Sequence, residues 1–488
     1  MQHQTAAIPL DSTIATINPV ANLTIEEKKL LVEKLLRQKL ENSAQTAPMS
    51  KGQESLWFVH QNDVSTPAYN IANVFRVFSA LDINVFQRAL NNCIQRHASL
   101  RTRYGIVNDN NSQIIQASAP IEILTFDARS LSESELQAKI STDYQQPFNL
   151  AQLPILRAYL YQETEHKSIF MFVVHHIAFD AWSMWILMEE LSEIYMSLME
   201  NRAIALPPQS AAYHNFAQQQ VQLLKSEHGE TLKNYWLDKL KGEIHPLTLN
   251  ISKPRPRVQT FNGASHYFQL APELAQGIAT QAKKYGVTPY AMLLTVYFVL
   301  LHRHSGQDDI CIASPTSGRN DPAFLRTVGY FVNPVILRSL LSNNPSFANL
   351  LQQVNHTVLD ALEHQEYPFS SLIEVLNPKR DPSYTPLSQA SFVFQKTHAE
   401  GLNAGWAPGQ EGPKIQWAGL EIAQYPLDQQ EGQFELELEL IDSQKGFYGI
   451  FKYNTDLFTA ANIQMLEKHF CMLATGILAA PELSLIHI

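Results

Sequence analysis

The sequence is short of cysteine, of positive charge and of long apolar runs, and each shortage excludes something. Its three cysteines, Cys93, Cys311 and Cys471, stand far apart in 488 residues. An odd number without paired spacing gives neither a disulfide framework nor a zinc site, so no metal is expected. A reducing, cytoplasmic compartment fits that usage. The formal net charge is -10. Nucleic-acid phosphates demand a basic footprint, which argues against a nucleic-acid partner. The most apolar helical run, Ala291 to Leu301, falls short of the roughly 20 residues a bilayer requires. It reads as a buried core helix, and no membrane partner is expected. No basic start followed by an apolar stretch marks a signal peptide. Also missing are a Gly- and Ser/Thr-rich phosphate loop and a Gly-Gly-x-Ser motif.

What remains is an ordinary globular composition, 45% apolar, on a chain too long for one compact core. Residues 1 to about 22 are polar and patternless. Thr24 and Glu27 then form a capping-box signal, and an amphipathic helix should follow through Leu31, Leu35 and Leu36 to about Leu40. Two readings of it stay open: a linker helix lying on the main body, or part of a docking element for an upstream protein. Asn42 to Pro48 read as a loop.

The main body alternates strand and helix. Tyr69 to Phe78 is predicted as a strand, and Asp82 caps a helix with Phe86, Ala89, Leu90, Cys93, Ile94 and His97 at helical spacing. Ile169 to Val174 is apolar at every position, which marks a strand buried on both faces. Thr288 and Pro289 open a helix that ends at Ser305-Gly306, and a strand over Asp309 to Ser314 follows. Phe434, Leu436, Leu438 and Leu440 alternate with glutamates, the period of a half-buried strand. Asp442 to Gly446 turns it back into Phe447 to Tyr453. A last helix is expected from about Thr459 to Thr475, ended by Gly476, and residues 396 to 416 read as a long surface loop. Two α/β lobes of similar size, joined near residues 205 to 225, is the architecture this implies.

The stretch that carries chemistry is His175-His176-Ile177-Ala178-Phe179-Asp180-Ala181-Trp182-Ser183. It follows the fully buried strand directly. Adjacent residues at a strand end point to opposite sides of the backbone, so one histidine can face a cavity while the other packs. The ends of central strands are where α/β proteins place ligands. A buried Asp180 would need a cation or backbone donors. A bare His-His pair is more often structural, and residue types alone leave both readings open.

The pattern His-His-x-x-x-Asp followed by Trp-Ser resembles the core motif of condensation domains in nonribosomal peptide synthetases. Further stretches resemble the family's other motifs in the family's order. They are Ser50 to Phe58 (Ser-Lys-Gly-Gln-Glu-Ser-Leu-Trp-Phe), Arg96 to Thr102 and, more weakly, Tyr213 to Ala217. Val328-Gly329-Tyr330-Phe331-Val332-Asn333, His364 to Phe369, and Arg380-Asp381 with Pro386-Leu387 complete the series. The resemblance covers about residues 48 to 480. It implies an α/β fold of two chloramphenicol acetyltransferase-like lobes, a V-shaped pseudodimer with a central channel. Residues 1-47 would be a linker or docking segment, 48-215 the N-terminal lobe and 216-488 the C-terminal lobe. It further implies an acyltransferase that forms an amide between a donor acyl thioester and the amine of an acceptor aminoacyl thioester. Both would ride on phosphopantetheine arms of partner carrier proteins, with adjacent synthetase domains as further partners. No cofactor would be bound by this chain.

The resemblance assigns His176, with His175 and Asp180, to the catalytic motif. It places Arg319 beside Asp180, and Trp182 and Ser183 on the channel. Arg101 is expected as a structural ion-pair residue, and Asn333 either caps backbone or lines the channel. Glycine usually follows the motif aspartate, and here Ala181 stands instead, which predicts an ordinary backbone conformation there. Ala181, the Lys51-Gly52-Gln53 opening and Tyr69-Asn70 also resemble domains that accept polyketide or fatty acyl donors. Trp182-Ser183 argues against an epimerisation domain, and the two histidines against a heterocyclisation domain. A non-catalytic condensation-like platform that recruits carriers or tailoring enzymes is the remaining alternative. Lacking activation and carrier motifs, and ending near Ser484, the chain is expected to be one domain of a larger synthetase.

Overall fold

The computed structural model describes residues 44–249, 253–379, 381–396, 409–427, 434–443 and 446–487. The helix expected through Leu31 to Leu40, Arg380 and the tip of the turn after Ser443 lie outside them. Two six-stranded sheets organise the chain. In spatial order the first holds Ile415–Trp417, Leu420–Gln424, Asn70–Val77, Ser168–His175, Leu156–Gln162 and Ile123–Asp127. The second holds Asn333–Leu340, Asp309–Thr316, Ala390–Lys396, Leu436–Ser443, Gly446–Asn454 and Gly263–Gln269. Both are mixed, mostly antiparallel with parallel pairs.

The first sheet is buried on both faces. Phe75, Phe170, Phe172 and Val174 pack under the helices Ile83–Arg96 and Ala181–Met199 through Phe86, Leu90, Leu187 and Leu191. Val74, Met171 and Val173 pack on the other side against Leu56, Trp57, Leu136 and Ile140. The all-apolar strand is therefore central, as its pattern predicts. The second sheet is covered on one face by the helices Pro272–Tyr285, Pro289–Ser305, Phe347–Glu363 and Ala460–Ala479. Asp82 and Thr288 cap their helices as expected. Ala291 to Leu301 is buried at every position, and no single helix among the described residues is long and apolar enough to cross a membrane.

Four expectations are corrected. Gln45–Pro48 is a strand paired with Asn110–Ile115, not a loop. The charged positions along and beside the strand Leu436–Ser443 are not left to solvent. Glu435 and Glu439 are 4% and 6% exposed, answered by Arg255 and Lys452. Period two here separates two buried faces, one apolar and one ionic. Gly476 does not end the last helix, which runs to Ala479 because a helical glycine costs only about 1 kcal/mol where packing supports the turn. The lobes, finally, are not a simple cut at 215. That point falls inside the helix Tyr213–Leu223, and the hairpin Ile415–Gln424 crosses back to pair with Asn70–Val77 in the first sheet.

Candidate active site

The strand Ser168–His175 ends in a single 3-10 turn, His176–Ala178, and Asp180 then caps the helix Ala181–Met199. The backbone N–H of His176 donates to the Tyr69 carbonyl at 2.8 Å, which ties the turn to the neighbouring strand. The two histidines part company where the strand gives way to the turn. His175 is buried beside Tyr69 and Phe148, and its Nδ1 accepts the Ile177 N–H at 3.1 Å. Burial, reinforced by the charges of His176, His60 and Arg157, holds its pKa well below the usual 6.5.

His176 is half-buried. Its Nδ1 lies 2.6 Å from the Phe179 carbonyl oxygen. A carbonyl only accepts, so Nδ1 donates, and the neutral ring keeps its lone pair on Nε2. Burial lowers the His176 pKa. The Phe179 hydrogen bond and the Asp180 charge oppose that shift, and the Lys452 ammonium adds to it. The ring is accordingly neutral at neutral pH. Tyr330 packs edge-on against it, with ring centroids 4.9 Å apart.

Asp180 is turned toward the second lobe. Oδ1 accepts from the Ser183 N–H at 2.8 Å and the Ser183 hydroxyl at 2.7 Å. Arg319 grips both carboxylate oxygens, Nη1 to Oδ2 at 2.7 Å and Nη2 to Oδ1 at 3.0 Å. The Phe331 N–H donates to Oδ2 at 3.1 Å. Each side chain of the pair is 1% exposed. Arg319 also donates to the Thr327 carbonyl and stacks 4.1 Å over Phe331. Gly318, at φ +64°, turns the chain into this arginine, and a Cβ there would stand 2.0 Å from the Phe331 carbonyl oxygen. No other residue fits that turn.

Ala181, the first residue of its helix, has no positive φ, so alanine in place of glycine carries no backbone strain. Ser183 does not line a channel. It is fully buried, its hydroxyl shared among Asp180, Gly329 and Arg319. Trp182 is 37% exposed and donates its indole N–H to the Leu325 carbonyl, a bridge from the first lobe to the second. Asn333 caps backbone. Nδ2 donates to the Gln365 and Tyr367 carbonyls at 2.8 and 2.9 Å, and Oδ1 accepts the Phe369 N–H. Arg101 makes no ion pair among the described residues. Its guanidinium donates to the Gln95 and Gln116 carbonyls, so backbone oxygens take the place of the expected carboxylate.

Sequence reasoning missed several residues around the turn that carries His176. Gln53, fully buried, donates to the Ile177 carbonyl and the Tyr104 hydroxyl. The Tyr213 hydroxyl donates to the Tyr330 carbonyl at 2.6 Å and meets Ser50 Oγ at 2.7 Å, joining the lobes. Gly52 clears space for Tyr330, whose Cε1 would lie 2.8 Å from a Cβ at position 52. Lys452 sits between Glu437 and Glu439 on the second sheet's ionic face. Alternation puts the two glutamates on one face, but does not say that Lys452 of the neighbouring strand stands opposite them.

The comparisons with known proteins agree with this geometry. The family model described as condensation domain matches residues 43–487. The chain is 33% identical over 441 residues to a linear gramicidin synthase of Brevibacillus parabrevis, covering 89% of this chain and 8% of that protein. It is 30% identical over 437 residues to a surfactin synthase of Bacillus subtilis, covering 90% of this chain and 12% of that protein. It thus spans only a small part of the curated relatives it matches. Among solved structures, a four-domain nonribosomal peptide synthetase bound to AMP and glycine superposes with a TM-score of 0.84 at 25% identity, over 91% of this chain and 34% of that one. The first condensation domain of the calcium-dependent antibiotic synthetase, in complex with a substrate analogue, gives 0.73 at 17%, over 91% and 99%. Two mixed sheets, a histidine pair at the end of a central strand and a family match over nearly the whole described chain converge: the protein belongs to the condensation-domain family of the nonribosomal peptide synthetases and has its chloramphenicol acetyltransferase-like fold.

Proposed function

We propose that this chain joins a donor acyl thioester to the amine of an acceptor aminoacyl thioester, each delivered on the phosphopantetheine arm of a carrier protein. One observation carries the reading: His176 is held with Nδ1–H on Phe179 and a lone pair on Nε2. An α-ammonium titrates near pH 8 and must be neutral to attack. The nitrogen sheds a second proton as the new bond forms, and Nε2 of a neutral ring can take it or hold the amine in line. His175 and Asp180 act through structure, one packing beneath the turn and the other fixing it to Arg319. Replacing His176 by Ala should slow amide formation from preloaded carriers by about 10²–10⁴-fold. The parent's acid limb should lie below pH 6.5, since burial lowers the His176 pKa. Undiminished amide formation by the variant would sink the proposal.

The donor, on this reading, is an acyl or polyketide chain. Lys51-Gly52-Gln53, Tyr69-Asn70 and Ala181 support it by resemblance. The structure gives two of these residues packing duties as well, Gly52 beneath Tyr330 and Asn70 on the Tyr144 and Gln146 carbonyls. An apolar chain gains roughly 0.8 kcal/mol per buried methylene, whereas a peptidyl donor needs its amides hydrogen-bonded. Competition between acyl-loaded and aminoacyl-loaded donor carriers against one acceptor decides it. The acyl carrier should turn over faster, and the reverse order overturns the donor assignment alone.

A further inference from the structure

The amide-forming reaction needs more than a base. When the amine attacks, the thioester carbonyl becomes an oxyanion, and one donor aimed at that oxygen is typically worth 10²–10³-fold in rate. Much of the polar backbone around His176 is already committed. The N–H groups of Ile177, Phe179 and Ser183 bond to His175, His176 and Asp180. Those of Gly329 and Phe331 bond to Ser183 and Asp180.

We infer that the Tyr330 hydroxyl is the donor to this oxyanion, a catalytic role that rests on the amide-forming reading. Three observations support it. Its ring lies edge-on to His176. Its backbone is fixed from both sides, the carbonyl by the Tyr213 hydroxyl and the following N–H by Asp180. The ion pair that holds the histidine's turn therefore also holds the tyrosine. Its side chain is half-buried, and among the described residues its hydroxyl has no hydrogen-bond partner, which leaves it available to a substrate oxygen. Gly52 keeps the helix Lys51–Asn62 out of the ring's space. Burial raises the Tyr330 pKa, with the Tyr69 and Asp180 charges adding to it, so the phenol stays protonated and can only lend its proton.

The step balances. The amine nitrogen bonds to the thioester carbon, and the carbonyl π pair moves onto oxygen, where the Tyr330 O–H donates to it. His176 Nε2 takes one proton from nitrogen. The oxyanion then re-forms the carbonyl, the carbon–sulfur bond breaks, and His176 returns that proton to the departing sulfur. Tyr330 ends as it began.

The test replaces Tyr330 by Phe, which keeps the ring against His176 and Gly52 and removes only the hydroxyl. With preloaded carriers, single-turnover amide formation should fall by about 10²-fold, with the acceptor's KM and the melting temperature unchanged. A second measurement does not rely on that variant folding: fluorinated tyrosines of graded acidity at position 330 should raise the rate as the phenol becomes a stronger donor. A purely structural tyrosine would show no such trend. A parent-like rate in Tyr330→Phe, or a rate indifferent to phenol acidity, overturns the inference while a dead His176→Ala leaves the amide-forming reading intact. A parent that makes no amide overturns both.

Discussion

Two buried arginines tie distant parts of this chain together, and they do so in opposite surroundings. Arg319 of the second lobe reaches Asp180 of the first, with both side chains 1% exposed. Arg76 of the first sheet collects Glu133, Glu163 and Glu411, whose side chains are 61%, 14% and 40% exposed. Glu411 belongs to the segment that crosses back from the second half of the chain, and Tyr425, just past the crossing hairpin, lies 4.9 Å under the same guanidinium. The bonds are alike in length. What differs is water, and water decides what each tie is worth. A buried pair must answer its own desolvation with good geometry, and losing one partner strands the other charge. An exposed carboxylate is rehydrated when its partner leaves. The first tie is therefore essential to the site's geometry, and the second is a fastening.

The largest expected effect breaks the first tie. Arg319→Ala should lower stability by about 3–5 kcal/mol, as should Asp180→Asn, because each leaves an uncompensated buried charge. Thermal or urea melts measure this, and parent-like curves would refute it. Combining Arg319→Ala with Asp180→Asn sharpens the comparison. The double variant removes both charges, so its loss should be well short of the sum of the two single losses. Simple additivity would mean that the pair is more hydrated than its burial implies.

A smaller effect concerns the histidine beneath the turn. The folded pKa of His175 lies well below 6.5, so the unfolded chain binds more protons as pH falls through the ordinary histidine range. The sign follows: stability is fully present above about pH 6.5 and is lost as pH drops below it toward the folded value. Melting temperatures taken from pH 7.5 to 5 should decline. His175→Asn, whose carbonyl oxygen can still accept from the Ile177 N–H, should shed part of that decline. An unchanged slope would mean that other groups carry it.

Legibility follows the range of the interaction. The central strand, the caps at Asp82 and Thr288 and the histidine pair are readable because each depends on neighbours in sequence. The ionic face of Leu436–Ser443 is not, because alternation reports two different faces and not what covers them. The crossing hairpin is invisible: Ile415–Gln424 is a pair of very short strands that begins at the end of the stretch read as a surface loop, and its partner strand lies more than three hundred residues earlier. Asn333 reads either way from sequence, since its three backbone partners lie 32 to 36 residues on. Tyr330 stands inside a recognised motif, yet only its packing on His176 and Gly52 singles it out.

The smallest effect tests the second tie. Glu411→Gln removes one exposed carboxylate and keeps the side chain's shape. Arg76 retains Glu133 and Glu163, so no charge is stranded. The cost should be at most about 1 kcal/mol. It should shrink as salt rises, because screening over about 10 Å at 0.1 M already weakens exposed charges. The loss from Arg319→Ala should hold nearly constant over the same range, since a pair at 1% exposure is screened much less. Melts of both variants between 0.05 and 1 M sodium chloride compare them directly. A cost for Glu411→Gln that matches Arg319→Ala, or one that does not fall with salt, would show that the crossing segment is locked as firmly as the turn that carries His176, and the distinction between tie and fastening would fail.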